Sequence, residues 1–493
     1  MVWTVTLDPE DSTRVGAHVG GGRRLGLLLL WSVDEPERSG EVALVPSVSR
    51  KAQLELGRAE GGPLQLDWVR QRPGINELTG PLRSPRISRV QLQVRQPDDE
   101  RLEISNVGRC PMLVGGCPIE QVTLGPGAVL ELRRVAALMV VSRPATLPAC
   151  PEWPSARHTF GAADPFGIVG ESPAAWALRG QIAFIAGRPA HALIRGASGT
   201  GKELVAQAIH ALSPRRARPL IARNAATFPE TLVDAELFGN AKSYPNVGAP
   251  ERPGLVGEAD GSTLFLDEFG ELPQAVQAHL LRVLDAGEYS RLGEAKPRRA
   301  DLRLIAATNR PESAIKEDVL ARLRLRLEVP GLPQRREDVP LIAAHLLRRI
   351  ARQDPVIARR YFPEGDPERT PRISPRLMAA LSLYPFATHV RELEALLWRV
   401  MSEETGDEAL DLPSWLAAAP TTAPGAEPEP GPAGEEAVGG VDPLSLSPEQ
   451  IQAALDAHGG RQEPAWRELG LSSRHVLTRL VKRYGLRVRG RGD

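Results

Sequence analysis

The chain has 493 residues and a formal net charge of zero. That length predicts two to four domains with sizeable cores. Balanced charge excludes a whole-molecule field drawing the protein to nucleic acid or membrane, so charge must be read locally.

The three cysteines, Cys110, Cys117 and Cys150, lack metal-ligand spacing and a disulfide framework, which predicts a reducing, cytoplasmic setting. The longest apolar run, LGLLLLW at 25–31, is far below the roughly 18 residues of a membrane span. The opening MVWTVTLDPEDSTR is too acidic and polar for a signal peptide. No membrane association is expected. Of the 61 basic residues only six are lysines, so a retained lysine is informative.

The expected fold class is multidomain. Residues 1–145 read as an all-β sandwich, because short apolar runs (VALVPSV, ISRVQLQV, LEISNV, ALMVVS) alternate with turn clusters. Residues 146–162 read as a linker. From 163 to 330, strand-like runs alternate with helical patterns, which argues an α/β core with a parallel sheet. Residues 331–412 read as an α-helical lid. Residues 413–443 are rich in Pro, Gly and acids and read as a flexible linker. A small helical unit is expected over 444–487.

HALIR-GASGTGKE-LVAQAIHAL is strand, glycine loop, helix, and fits G-x-x-x-x-G-K. Gly196, Gly199 and Gly201 let the N–H groups of Ala197, Ser198 and Thr200 turn around phosphates, and the following helix aims its N-terminus at the same charge. Lys202 would pair with the outer phosphates of ATP. Glu203 replaces the usual Ser or Thr magnesium ligand. ADGSTLFLDE at 259–268 is an apolar strand ending in two acids: Asp267 would hold Mg²⁺ and Glu268 would polarise the attacking water. LRLIAATNR at 302–310 ends a further strand on Thr308 and Asn309, which could sense the terminal phosphate.

GASGTGKELVAQAIH, AELFG, GSTLFLDEFGELP, HLLRVLDAGEYSRLG, LRLIAATNR and HVRELE follow in this order. From about Phe166 to Trp398 the chain resembles the AAA+ ATPase domain of bacterial enhancer-binding proteins, the sigma-54-dependent transcriptional regulators. Glu203 fits, since that family carries Glu there. The resemblance implies a homo-oligomeric ring, a hexamer, with ATP at subunit boundaries. It implies that Asn224 hydrogen-bonds the catalytic Glu268 and that Arg391 of the lid contacts nucleotide. IKEDVLARL matches the finger segment, with Arg322 in the finger position and Lys316 in the companion one. Lysine keeps the charge but loses the planar fork.

The family's GAFTGA loop grips sigma-54. Here ELFGNAKSYPNVGA keeps Glu236-Leu237-Phe238-Gly239 and Gly248-Ala249, while Ser243, Tyr244, Pro245, Asn246 and Val247 replace the tip. Pro245 is expected to stiffen the loop, and Tyr244 is its one aromatic. This puts the sigma-54 partner in doubt and leaves two readings: an activator of sigma-54 RNA polymerase holoenzyme, or a regulator that acts on other polymerase forms or as a repressor.

The tail resembles a Fis-like helix-turn-helix. Arg474, His475, Thr478, Arg479, Lys482 and Arg483 would lie on the outer face of its last helix, suited to the major groove of upstream promoter or enhancer DNA. A remodelling AAA+ enzyme with no DNA role is argued against by this basic tail. The β segment resembles a forkhead-associated (FHA) domain, a phosphothreonine-binding sandwich, through Gly57-Arg58 and Ser88-Arg89. Arg58, Ser88 and Arg89 would hold the phosphate. Gln91 stands where that family has His, and Cys110-Pro111 where it has Asn-Gly.

Overall fold

The structure is a computed structural model. It describes residues 22–46, 52–62, 64–154, 158–229, 231–244, 246–248, 250–403, 409–417 and 448–458, together with 465, 468 and 469. The chain divides into two units, Met1–Gly425 and Ala426–Asp493. In the second unit the described helix is α12 (Pro448–Ala457), and the six expected DNA-contacting residues, Arg474 to Arg483, lie outside the described residues.

The N-terminal part folds as two facing antiparallel sheets. Its strands are β1 (Arg23–Ser32), β2 (Val42–Leu44), β3 (Leu54–Leu56), β4 (Val69–Arg72), β5 (Ile75–Leu78), β6 (Leu92–Arg95), β7 (Leu102–Asn106), β8 (Met112–Val114), β9 (Cys117–Pro118), β10 (Gln121–Leu124), β11 (Val129–Leu132) and β12 (Ala136–Pro144). One sheet runs β5-β4-β2-β1-β12-β11-β8-β9, the other β10-β7-β6-β3. Leu27, Leu29, Trp68, Leu92, Ile104 and Leu138 fill the space between them.

The middle part is an α/β core around a parallel sheet of β13 (Ala192–Arg195), β14 (Ile221–Asn224), β15 (Thr263–Asp267), β18 (Arg303–Thr308) and β19 (Leu325–Glu328), in the order β14-β15-β18-β13-β19. A small ribbon, β16 (Glu288–Tyr289) with β17 (Arg298–Arg299), stands apart. The helices are α1 (Pro173–Ala186), α2 (Lys202–Ala211), α3 (Val233–Phe238), α4 (Gly254–Glu258), α5 (Gln274–Ala286) and α6 (Glu317–Arg322). Ser172 starts α1 by accepting from the Ala175 N–H at 3.1 Å, with Pro173 in the first turn.

The lid comprises α7 (Val339–Gln353), α8 (Pro355–Tyr361), α9 (Pro375–Leu383) and α10 (His389–Glu403). It is not helical throughout: Pro363, Pro367 and Pro371 fall in the irregular stretch between α8 and α9, and proline cannot donate to a helical ladder. Its core gathers Leu347, Tyr361, Phe362, Leu377, Leu397 and Leu410. α11 (Ser414–Ala417) lies in the stretch expected as flexible linker, yet Leu416 is buried in this core and Arg399 covers the Trp415 ring at 3.8 Å. The rest of that linker lies outside the described residues. No helix among the described residues is long and apolar enough to cross a membrane.

The expected linker at 146–162 is corrected: it is packed. Leu147 and Trp153 are buried in the core beside β13, and Trp153 meets Phe166 edge to face at 5.2 Å. Phe160 sits under the guanidinium groups of Arg70 and Arg72. Apolar anchors spaced among prolines read as loop in sequence, because burial of isolated aromatics has no period.

The sandwich also docks on the lid. Leu28, Leu30, Met139 and Val141, on the outer face of β1 and β12, pack with Ala379 of α9. Trp31 donates its indole N–H to the Ile373 carbonyl at 2.9 Å. Arg143, 1% exposed, donates to Glu337 just before α7, its Nε at 2.8 Å. β1 is therefore buried on both faces, which accounts for its unbroken apolar run; a strand with one wet face alternates.

Candidate functional site

The parallel sheet sets the site. β13 delivers the glycine loop at its C-terminal end, and β15 delivers Asp267 and Glu268 on the same edge, with β18 between them. Ligands of open α/β sheets sit at this edge. Gly199 and Gly201 have φ of +79° and +100°. A side chain at Gly199 would also collide with the Thr388 carbonyl, its Cβ 2.2 Å away, so the lid closes directly on the loop. Val390 donates its N–H to the Gly199 carbonyl at 3.1 Å, and Arg391 reaches the Ser198 hydroxyl at 3.0 Å.

Lys202 is 6% exposed, donates to the Gly196 carbonyl at 3.1 Å, and stands 3.9 Å from a Glu268 carboxylate oxygen. The other Glu268 oxygen is buried without a partner. Glu268 itself has φ of +50°, a left-handed conformation that costs a non-glycine residue of order 1 kcal/mol or more. An unpartnered buried carboxylate oxygen on a strained turn is fitted to receive something polar. Asp267 accepts from the Glu268 N–H at 2.9 Å.

A cavity of about 350 Å³ connects these groups. It holds Ser198 to Glu203, Asp267, Glu268 and Arg391 together. Apolar walls come from Ile168, Val169, Ile342 and Leu346, and polar groups from Arg335, His345 and the Arg349–Glu394 ion pair. Sequence reading missed these wall residues. The signal was faint: GIVG before α1 is four residues, and the α7 positions look like any amphipathic face.

Arg335 is 5% exposed and donates to the Thr200 carbonyl at 3.3 Å. Burial holds its pKa below the usual arginine range. Asp338, 1% exposed, accepts from the N–H groups of Glu171 and Ser172 at 2.8 and 2.9 Å and from the Ser172 hydroxyl at 2.6 Å. Burial pushes its carboxyl pKa up. Together they fix the start of the lid to the glycine loop and to α1.

Other expected site residues lie differently. Asn224 ends β14 beside Asp267, but its side-chain oxygen accepts from the Ala226 N–H at 2.9 Å, and no hydrogen bond joins it to Glu268. Thr308 is 1% exposed and accepts from the Arg310 N–H at 3.0 Å; neither it nor Asn309 lines the cavity. Arg322 is likewise outside the cavity, ion-paired with Asp285 at 2.9 Å, and that carboxylate raises its pKa. Lys316 caps the N-terminus of α6 and donates its backbone N–H to Gln277 at 2.9 Å.

In the partner loop, Ser243, Tyr244, Asn246 and Val247 are exposed, Val247 at 99%. Pro245 lies outside the described residues, and so does its stiffening effect. Tyr244 lies on Gly293, where its ring stands 2.6 Å from any added Cβ. Asn240, which sequence reading passed over, gathers the loop by donating to the carbonyls of Ala241, Tyr244 and Pro250.

In the sandwich, the turns carrying Arg58 and Ser88-Arg89 touch through their backbones: Arg58 N–H to Ser88 carbonyl at 3.1 Å, Ala59 N–H to Arg89 carbonyl at 3.0 Å. The Ser88 hydroxyl accepts from the Arg109 N–H at 3.0 Å. Fully buried Gln91 ties the turns together, accepting from the Ser88 N–H and donating to Asn106 and the Cys110 carbonyl. Arg58, Arg89 and Arg109 are exposed.

A glycine loop at the end of a central parallel strand, an acidic pair on a neighbouring strand end and a helical lid closing over both define a P-loop nucleotide hydrolase of the AAA+ class. Residues 168–332 match the Sigma-54 interaction domain. The chain is similar to the transcriptional regulatory protein ZraR of Salmonella typhimurium, 37% identical over 327 residues, covering 64% of this chain and 69% of that one. It is similar to the DNA-binding transcriptional regulator NtrC of Klebsiella pneumoniae, 39% identical over 258 residues, covering 50% and 52%. Among solved structures it resembles NtrX of Brucella abortus in complex with ADP at 28% identity and a TM-score of 0.45, covering 66% and 70%. The chain belongs to the sigma-54-dependent enhancer-binding regulators, and it is an ATPase of that family.

Proposed function

We propose that the protein couples ATP hydrolysis to activation of sigma-54 RNA polymerase at promoters whose upstream DNA it binds. The observation that carries the reading is the Glu268 carboxylate, half orphaned and strained, beside Lys202 in a cavity closed by lid residue Arg391. Lys202 and the loop N–H groups bind the phosphates of ATP, Arg391 and Arg335 add positive charge from the lid side, and the apolar walls take the base. Asp267 would hold Mg²⁺, which would supply positive charge to neutralise the phosphates. Glu268 accepts the proton of the attacking water. Thr308 and Asn309 act behind the site rather than in it.

Arg322, outside its own cavity and on an exposed helix end, serves the neighbouring subunit of a ring, with Lys316 nearby. Asn224 changes its partner from Ala226 to Glu268 during the cycle. The loop grips the polymerase through Val247 and Tyr244. The family and the relatives speak for sigma-54 as the partner, so another polymerase form is not favoured. Arg474 to Arg483 read the upstream DNA, and the Arg58–Ser88–Arg89 turns, with Arg109, take phosphothreonine.

In vitro transcription with purified sigma-54 holoenzyme tests this. Open complexes that require ATP and upstream DNA are expected, and deleting residues 443–493 should abolish DNA binding while leaving hydrolysis intact. Failure to open any sigma-54 promoter, despite hydrolysis, overturns the partner. Wild-type activity with Val247→Ala and Tyr244→Ala combined overturns the role of the loop tip.

A further inference from the structure

A second large cavity, of about 1020 Å³, lies where the sandwich meets the lid. Five arginines line it: Arg86 and Arg134 from the sandwich, Arg369, Arg372 and Arg376 from the lid, against one acid, Asp411. Arg86 is answered by Asp34 at 2.8 Å and Arg369 by Glu364 at 2.9 Å. Arg376 faces the half-buried carboxylate of Glu131, and no hydrogen bond or ion pair among the described residues holds the guanidinium groups of Arg134 or Arg372.

The five arginines are all exposed, so their mutual repulsion is screened by water, and an anion bound among them lowers it further. Guanidinium forks suit phosphate oxygens two at a time. The N-terminus of α9 opens on the same space, with Ser374 and Pro375 in the lining, and adds positive potential. The remaining wall is apolar, formed by Val33, Pro36, Pro363 and Pro371 around the fixed edge of Trp31. Volume, an arginine-rich lining and an apolar wall together describe a site for a small organic phosphate rather than for a bare ion.

The geometry points to a second ligand site in this protein, separate from the ATP cavity, that takes a phosphate-bearing small molecule of nucleotide size and bridges the sandwich to the lid. The ligand draws Arg134 toward Arg372 and Arg376 and so holds the two bodies docked. A phosphorylated side chain of a protein would offer the same phosphate chemistry, but the apolar wall next to the arginines favours a compact free molecule.

The test titrates sodium pyrophosphate into the full chain carrying Lys202→Ala, which weakens the ATP cavity, at about 0.1 M salt so that surface attraction is screened. Saturable binding is expected, with a rise in melting temperature, and Arg372→Ala with Arg376→Ala should weaken the affinity tenfold or more. Both side chains are exposed, so the variant keeps its fold, and its unliganded melting temperature verifies this. Arg216→Ala, on a distant exposed turn, should change nothing. Absence of saturable binding, or equal affinity in the Arg372/Arg376 variant, overturns the site. A phosphothreonine peptide that binds more tightly than pyrophosphate, and loses that binding in the same variant, overturns the small-molecule assignment.

Discussion

The ATPase core and the N-terminal sandwich are built to different standards of visibility. In the core, chemistry dictates residue types at strand ends: glycine where φ is positive at Gly199 and Gly201, lysine at 202, acids at 267 and 268. In the sandwich most positions answer to shape, and many sequences satisfy it. The difference teaches where control can reside. The sandwich has no chemistry of its own in the ATP cavity, yet it grips the lid through Trp31, Arg143 and the outer face of β1. Glu337, the partner of Arg143, is two residues from Arg335, which holds the Thr200 carbonyl of the glycine loop. A change in docking therefore has a short covalent path to the nucleotide.

The sharpest way to separate the two regions is to disable one while the other stays folded. Glu268→Gln keeps shape and removes the proposed base, so hydrolysis should fall by a factor of about 10² to 10⁴ while ATP still binds. A single-turnover assay with nucleotide-binding measured in parallel checks it. Equal hydrolysis by the variant would falsify the base assignment. Loss of the left-handed strain at position 268 is not expected, since Gln bears it as Glu does.

The interface comes next in size. Trp31→Ala deletes a buried ring and its hydrogen bond to Ile373, and should cost roughly 3–5 kcal/mol. Arg143→Ala leaves Glu337 without its partner. Glu337 is partly exposed, so the cost is smaller, about 1–2 kcal/mol. Denaturant unfolding measures both. If the docked arrangement restrains the lid, each variant should also shift the ATPase rate although neither touches the ATP cavity. A rate unchanged in both, with stability lost as expected, would mean that docking is structural alone.

How much of this was legible follows the same division. The glycine loop, the acidic pair and the strand–helix alternation were readable, because a phosphate site demands named residues at fixed spacing. The cavity walls at Ile168, Val169, Ile342 and Leu346 were not, since any apolar residue serves. LGLLLLW reads as a strand of the sandwich and as too short for a membrane span, and neither reading assigns it two buried faces. Its missing alternation was the signal that β1 is buried on both faces, and hence that something docks on the sandwich. Trp153 and Phe160 turned an expected linker into a packed connection, which composition could not reveal. The arginines of the second cavity are far apart in sequence and only the fold assembles them.

The smallest expected effect separates the regions by pH. Burial lowers the pKa of His191 and His210 in the core and of His345 and His389 in the lid, while residues 22–144 contain no histidine. A folded pKa below the unfolded value of about 6.5 means that the unfolded chain binds protons the folded one refuses. Stability contributed by these neutral rings is complete above about pH 7.5 and is lost as pH falls through 6.5 toward their folded values, at most ~1.4 kcal/mol per unit for each ring. Asp338 acts in the opposite sense, since its raised pKa makes protonation on acidification favourable to the folded state. One carboxyl does not offset four rings near pH 6. Amide exchange of the full chain at pH 7.4 and 5.8 should therefore show protection falling first over residues 192–400, with the sandwich retained, and His345→Asn should flatten the change. Earlier loss in the sandwich would show that its grip on the lid, rather than the buried histidines, sets the acid limit.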